Sequence, residues 1–224
     1  HFTSSYGKMQ GLGSPNQGNR IWGKWFKGVG PGQRIEKSAK KYIRNLIGNY
    51  EMKYEMPFIT KWPGFSVYLN KLIEIVPEAL FVYTKRDVLQ NCESVLKGRR
   101  DLRGNPKANI SRMPSSYHNY LNSNFIDQSL AYVLGVLQDI EKGMKEFGEN
   151  KFFPIPYDSF CKHPQFFMEL FSKWYLREDG FGLEIRRKIP SHFQISNNIK
   201  VTHEETDMLK NNIDVISNEI SRDS

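Results

Sequence analysis

Two residues whose types and spacing suit phosphate binding, Arg86 and Ser94, stand eight positions apart in this chain. Arg86 follows a short apolar run that predicts a strand over 80–84, and Ser94 lies two turns into a helix predicted over 87–100. Ligands of open α/β sheets bind beyond the carboxyl ends of the strands. An arginine there offers a planar, permanently charged fork to phosphate oxygens. The pair therefore predicts an anion site in which Ser94 donates a second hydrogen bond.

Two further polar side chains follow predicted strands in the same way. Lys61 comes directly after a short strand predicted over 58–60, and Tyr157 follows a strand predicted over 152–156. Strands that alternate with helices favour an α/β fold in which a parallel β-sheet is flanked by helices. In such a sheet the strand ends meet at one edge, so we expect these side chains to share a site.

The length of 224 residues and a hydrophobic content of 39% suit a single α/β domain over 1–224. Residues 1–33 are predicted to form an ordered loop with a short helix near 19–26, and residues 101–116 a mobile loop. Cys92 is expected to be a buried free thiol, since two cysteines make no metal or disulfide pattern. The other predicted helices cover 34–50, 67–76, 123–147, 159–161, 164–176 and 202–220.

The net charge of +8 predicts attraction to anionic partners, either nucleic acid, a phosphorylated cofactor or an acidic glycan. No run of residues approaches the length of a transmembrane helix. The basic residues of the segment 37–44 are interpreted as a solvated helix face. The scattered histidines predict no metal site.

Several catalytic motifs are excluded. The segment 18–24 has the spacing of a nucleotide-binding loop, but Trp25 replaces the hydroxyl that would bind magnesium and no strand precedes it. The glycine-rich segment 28–32 also lacks a preceding strand and is interpreted as a loop. No nucleophile elbow of serine hydrolases is present.

Taken together, the spaced residues resemble the sulfotransferase superfamily that uses 3′-phosphoadenosine 5′-phosphosulfate (PAPS). The matching stretches are Pro-Phe-Ile-Thr-Lys at 57–61, Val-Pro-Glu-Ala-Leu-Phe-Val-Tyr-Thr-Lys-Arg-Asp at 76–87 with Ser94, and Ile-Pro-Tyr-Asp-Ser-Phe-Cys-Lys-His-Pro at 155–164. The last is similar to the family's "YEDL…P" segment. The resemblance covers roughly 57–176 and implies the P-loop-like sulfotransferase fold.

The resemblance also implies roles for individual residues. Arg86 and Ser94 would bind the 3′-phosphate of PAPS, and Tyr157 would lie near the adenine. Lys61 would stand beside the sulfuryl group, where a cation stabilises charge on the moving group and the leaving phosphate. The product of the donor would be adenosine 3′,5′-bisphosphate (PAP).

The sequence departs from the family at two points. The family's Lys- or Arg-Ser-Gly-Thr-Thr phosphosulfate loop is missing, and we expect it upstream of His1. Pro63 stands where cytosolic members carry a catalytic histidine. Carbohydrate-modifying members often use a glutamate near the first helix, at or before the start of this chain. The general base is therefore open: His118 is the best histidine, and Glu51 and Glu55 are alternatives.

The sequence thus predicts a PAPS-dependent sulfotransferase that acts on a hydroxyl or amine of a carbohydrate or small molecule. The loop 101–116, with Arg103, Lys107 and Arg112, would serve as a lid or acceptor-binding segment and favours an acidic glycan. The alternatives are a nucleotide-dependent kinase, for which no magnesium-binding pair is evident, and a basic nucleic-acid-binding module. The lack of a disulfide pattern favours a bacterial cytoplasm over the alternative of the Golgi lumen. The glycosylation sequon at 109–111 is too common by chance to place the chain in a secretory compartment.

Overall fold

The computed structural model describes residues 3–5, 8–10, 19–26, 34–180, 182–195 and 201–222. Within these ranges no helix is both long enough and apolar enough to span a bilayer. The glycine-rich segment 28–32 lies outside the described residues.

Helices dominate the described elements, and four short strands lie among them. The strands are β1 (Thr3–Ser5), β2 (Lys8–Gln10), β3 (Phe81–Lys85) and β4 (Phe152–Pro156). The helices are α1 (Asn19–Phe26), α2 (Lys37–Tyr54), α3 (Leu69–Ile75), α4 (Val88–Arg103), α5 (Phe125–Phe147), α6 (Tyr157–Lys162), α7 (Pro164–Asp179) and α8 (His203–Arg222). Short 3-10 turns cover Pro63–Ser66, Ser115–Tyr120 and Glu149–Lys151.

The predicted parallel sheet is present as the pair β3 and β4. The two strands run parallel in a register that sets Phe81 opposite Phe152 and Lys85 opposite Pro156. The rings of Phe81 and Phe152 stack with centroids 4.9 Å apart, which aligns the amino ends of both strands. Helices flank this pair, so the α/β prediction is confirmed.

Two local predictions are wrong. Residues 58–60 form no strand: the Phe58 amide donates to the Glu51 carboxylate (3.0 Å), and the Ile59 side chain is 85% exposed. Within the described residues this segment pairs with neither of the two sheets. Residues 3–10, predicted as loop, contain the antiparallel pair β1 and β2. Strands of three residues carry too little alternation to be recognised from sequence.

Helix ends follow ordinary capping chemistry at the elements that position the site. The Asp87 carboxylate accepts from the Gln90 amide (2.9 Å) at the start of α4. The Asn124 side chain does the same for two amides at the start of α5. Gly104 ends α4 in the left-handed region (φ 65°), where glycine carries no Cβ penalty.

Two apolar cores hold the helices. The first core unites α4, α5 and α8, and the Cys92 thiol lies within it, free as predicted; burial raises its pKa. The second is the tryptophan core, built around Trp22 and Trp62 with helices α1, α2 and α3. α8 is further attached by Arg100 of α4, which forms a two-pronged ion pair with the buried Glu205.

The segment between α4 and α5 is anchored, which corrects the prediction of a mobile loop. Arg99, only 1% exposed, donates to the Pro106 carbonyl (3.3 Å), the Ser129 hydroxyl (3.2 Å) and the Tyr117 hydroxyl (3.2 Å). The side chain of Ser111 hydrogen-bonds to Tyr132 of α5. All these partners of Arg99 are neutral, so its cation is spread over several dipoles.

Close approach along α5 depends on glycine. A Cβ on Gly135 would come within 2.7 Å of the Pro114 ring and overlap the Ser116 hydroxyl. About two turns later in α5, Gly143 lies against Leu69 of α3 in the same way. The face of α5 that carries both glycines therefore packs closely on the turn at 114–116 and on α3.

We predict that Gly135→Ala lowers the free energy of unfolding by about 1–3 kcal/mol, because the new methyl group overpacks the contact with Pro114. Gly48→Ala in α2 is the matched control: nothing lies within 4 Å of its Cβ position, and helix propensity predicts a gain of about 0.5–1 kcal/mol. Urea denaturation of the two variants checks both signs. Equal effects would contradict the tight α5 contact.

Candidate functional site

The register of the parallel pair brings Arg86 and Tyr157 together. Because Lys85 pairs with Pro156, the next residue of each strand emerges at the same carboxyl edge. The Arg86 guanidinium carbon lies 4.7 Å from the centroid of the Tyr157 ring. This is a cation–π contact at a partly buried position. Two side chains predicted from separate strands thus form one surface.

The first turn of α4 orients the arginine. Arg86 Nε donates to the side-chain oxygen Oε1 of Gln90 (3.0 Å). The backbone amide of Gln90 in turn donates to the capping carboxylate of Asp87. Bound at Nε and stacked on Tyr157, the guanidinium has a defined plane. A guanidinium with a fixed plane can present its terminal nitrogens in parallel to two oxygens of an anion.

Ser94 lies on the helix face that carries Gln90. The two residues are four positions apart in α4, and residues at that spacing stand one above the other. Ser94 is half-buried. Arg86, Gln90 and Ser94 therefore form a line that runs from the sheet edge along α4, and the role of Ser94 stays a prediction.

Tyr157 is the first residue of the short helix α6, which fixes its position. Burial and a hydrogen bond with the Cys161 side chain raise the pKa of the Tyr157 hydroxyl, so the ring is neutral at physiological pH. Cys161 is itself buried and reduced. The phenol thus offers an uncharged aromatic surface beside the guanidinium.

Lys61 is positioned by the tryptophan core rather than by a strand. Its neighbours are both fixed: the Thr60 hydroxyl accepts from Trp22 Nε1 (3.2 Å), and Trp62 is buried with its ring against Gly64. A Cβ on Gly64 would overlap that ring, so the turn requires glycine. Partial burial lowers the pKa of the Lys61 ammonium, although the side chain reaches solvent.

His118 lies apart from these contacts. It is exposed on the 3-10 turn Ser115–Tyr120, whose Tyr117 and Tyr120 point into the α4–α5–α8 core. Among the described residues no contact joins His118 to Lys61, Arg86 or Tyr157, and its role as a base stays a prediction.

One carboxylate that the sequence reading missed is Asp139 of α5. Burial raises its pKa to about 6, against the smaller lowering effects of a hydrogen bond from Ser115 and the charge of Lys142. Ser115 Oγ donates to Oδ1 (3.4 Å), while Oδ2 is buried without a partner in the described part of the chain. Its position midway between Gly135 and Gly143 on the packed face of α5 was the available signal.

One of the comparisons with known proteins identifies a family. The family model described as "Sulfotransferase family" matches residues 24–171, about two thirds of the chain. The chain therefore belongs to the sulfotransferase family, and the α/β prediction and the resemblance seen in the sequence are both confirmed. Neither the curated proteins nor the solved structures gave a significant match.

We predict that Asp139→Asn raises the free energy of unfolding at pH 7 by about 1 kcal/mol, after allowing for solvent screening of a partly exposed carboxylate. The folded-state pKa lies above the unfolded value, so the folded protein binds more protons and loses stability as pH rises from about 4 to about 6. Urea denaturation of both proteins at pH 4, 5, 6 and 7 measures the difference. Parallel curves would show that Asp139 does not titrate as described.

Proposed function

We propose that this chain transfers a sulfuryl group from PAPS to a hydroxyl or amine of a carbohydrate or another small acceptor, releasing PAP. The observation that supports the proposal is the guanidinium of Arg86, held between Gln90 and the Tyr157 ring at the carboxyl edge of a parallel strand pair. Membership of the sulfotransferase family supplies the class of reaction.

Donor recognition would divide among three side chains. The terminal nitrogens of Arg86 would engage two oxygens of the 3′-phosphate, and the Ser94 hydroxyl would add a hydrogen bond from α4. The exposed surface of the neutral Tyr157 ring would pack against the adenine.

The reaction would form one bond to sulfur and break another. The acceptor oxygen or nitrogen attacks sulfur in line, the bond from sulfur to the bridging phosphate oxygen breaks, and the acceptor proton passes to a base. Lys61 would stabilise the negative charge that gathers on the sulfuryl and leaving oxygens. Positioning and electrostatics would supply most of the barrier reduction, as in phosphoryl transfer.

The base remains a choice among named groups. His118 is the predicted histidine, and its exposure leaves it accessible to an acceptor. Glu51 already accepts from the Phe58 amide, which weakens its case.

The two alternative functions, a nucleotide-dependent kinase and a nucleic-acid-binding module, receive less support. A kinase needs a magnesium-binding hydroxyl in a nucleotide loop, and residues 19–24 of the segment that mimics one lie within helix α1. A nucleic-acid module needs cations available along a continuous face. On α2, two of the basic residues, Lys40 and Arg44, are paired with Glu74 and Glu78, which interrupts such a row.

Arg86→Ala is predicted to weaken PAP binding by about 10- to 100-fold, and Ser94→Ala by less, because hydrogen bonds to a charged group contribute about 1.5–3 kcal/mol. Arg177→Ala on the exposed end of α7 is the control and should leave affinity unchanged. Isothermal titration of the complete polypeptide with PAP measures all three. If Arg86→Ala bound PAP as tightly as the parent, the donor site would be misassigned.

Lys61→Ala is predicted to reduce turnover of PAPS by about 100- to 1,000-fold while PAP affinity changes little, because the charge that Lys61 stabilises develops in the transition state. Release of PAP from PAPS in the presence of acceptor, followed beside the PAP titration, separates the two effects. Equal loss of affinity and turnover would assign Lys61 to ground-state binding.

A further inference from the structure

The end of helix α2 and the chain that returns from it concentrate exposed apolar side chains. Fifteen large hydrophobic residues are exposed in the described part of the chain, and five of them lie within the ten residues 50–59, here called the α2 tip. They are Tyr50, Met52, Tyr54, Met56 and Ile59. Exposed apolar residues scattered singly over a surface are ordinary, whereas a group of them points to an interaction site.

The α2 tip extends the apolar stripe of its helix past the core. Ala39 and Ile43 of this stripe are buried in the tryptophan core. Tyr50 and Tyr54 continue the stripe at helical spacing but are exposed. The Tyr50 ring packs against those of Tyr54 and Phe58, with centroids 5.7 and 5.6 Å apart. The last turns of α2 therefore project from the body that the core holds together.

The projecting end is apolar on more than one side. Residues 49–57 are all exposed. Met52 lies two positions from both Tyr50 and Tyr54, so its side chain leaves the opposite side of the helix. Met52 is 74% exposed and Met56 is 59% exposed. A helix end in water is ordinarily polar on its exposed faces, and this one is not.

The return of the chain from α2 is ordered. Glu55 ends the helix in the left-handed region (φ 51°), and the Glu51 carboxylate accepts from the Phe58 amide (3.0 Å). These two features fix the chain reversal that presents Met56 and Ile59. A surface that is already ordered loses little conformational entropy when it binds.

The shape of the α2 tip favours a lipid surface over a protein partner. A stable protein interface buries about 800 Å² on each partner over about 20–30 residues, and the tip offers five large side chains. The interface of a bilayer surrounds whatever enters it, so side chains on opposite faces of a helix end can insert together. Binding then grows with the apolar area inserted. Tyrosine suits this boundary because its ring is apolar and its hydroxyl is polar.

The charge around the α2 tip complements an anionic bilayer. Residues 37–61 include six basic and two acidic residues. The Lys53 ammonium lies 5.4 Å from the centroid of the Tyr54 ring, so the cation accompanies the aromatic surface. Lysines beside inserted apolar groups reach the lipid headgroups and are attracted to anionic ones. The two acids, Glu51 and Glu55, limit the depth of insertion to the headgroup region, because a carboxylate is costly in hydrocarbon.

We infer that the α2 tip inserts into the headgroup region of an anionic lipid bilayer and that the chain binds membranes peripherally through it. Arg86, Ser94 and Tyr157, the residues proposed to bind the donor, lie outside the tip. Membrane binding and sulfuryl transfer can therefore fail separately.

The experiment measures binding of the complete polypeptide to vesicles of phosphatidylcholine, with and without phosphatidylserine, by flotation. The test variant M52S/M56S/I59S removes three exposed apolar side chains and leaves the ring contacts of Tyr50 with Tyr54 and Phe58 in place. Its matched control, F166S/L170S/L176S, removes three exposed apolar side chains from α7.

We expect the test variant to bind phosphatidylserine vesicles at least about tenfold more weakly than wild type, and the α7 control to stay within about twofold. The K53Q variant should lose about fivefold on the same vesicles, because each lysine near an anionic surface adds to the attraction. K173Q on α7 is its control and should bind like wild type.

A second readout does not depend on weakening the protein. An environment-sensitive fluorophore is attached to M52C and, as control, to F166C, since the native Cys92 and Cys161 are buried. Vesicles should shift the emission of the label at position 52 to shorter wavelength and leave the label at 166 unchanged. This result would support insertion even if the triple serine variant failed to fold.

Four results would overturn the inference. The first two are wild type that does not bind phosphatidylserine vesicles, and an equal loss in the α7 control. The third is equal binding with and without phosphatidylserine, which would remove the anionic bilayer as the partner. The fourth is a dimer in analytical ultracentrifugation that the test variant dissociates, because the tip would then be covered by a second copy of this chain.

Discussion

The candidate site depends on one pairing, the parallel register of β3 with β4. That register places Lys85 opposite Pro156 and so delivers Arg86 and Tyr157 to the same edge, although about seventy residues separate them along the chain. A slip of either strand by one residue would turn that strand's side chains to the opposite face and separate Arg86 from Tyr157. The stacked rings of Phe81 and Phe152 at the other end of the strands oppose such a shift. The position of Arg86 relative to Tyr157 is therefore set by the register of the ten residues in β3 and β4.

The second constraint is the close packing around α5, which sets where the surrounding turns lie. Glycines at 135 and 143 allow the turn at 114–116 and helix α3 to approach the helix closely. That approach carries the segment after α4 toward the Lys61 turn, where Arg112 meets Trp62. Asp139 is partly buried for the same reason, because its helix face is occupied on both sides, and this burial raises its pKa.

Polar groups inside the fold stabilise it by hydrogen bonds, and other groups at the surface are available for binding. The Arg99 guanidinium donates to the Pro106 carbonyl and to two buried hydroxyls, and these hydrogen bonds fix the loop that follows it. A buried cation without a carboxylate is costly unless dipoles surround it. Its neighbours supply those dipoles, while Arg103 and Lys107, further along the chain, are exposed. By fixing this loop, the buried Arg99 therefore also fixes the backbone that carries Arg103 and Lys107.

Local pattern by itself determined the helices, the strands β3 and β4, and the position of Arg86 and Tyr157 at strand ends, because hydrophobic periodicity and capping act over a few residues. Tertiary structure alone decided what depends on distant partners. Residues 58–60 are apolar enough for a strand but meet no strand edge in the described ranges, and 101–116 looks mobile until Arg99 and Tyr132 bind it. The raised pKa of Asp139 and the contact of Arg112 with Trp62 likewise arise only when separate segments pack together, which no short-range pattern encodes.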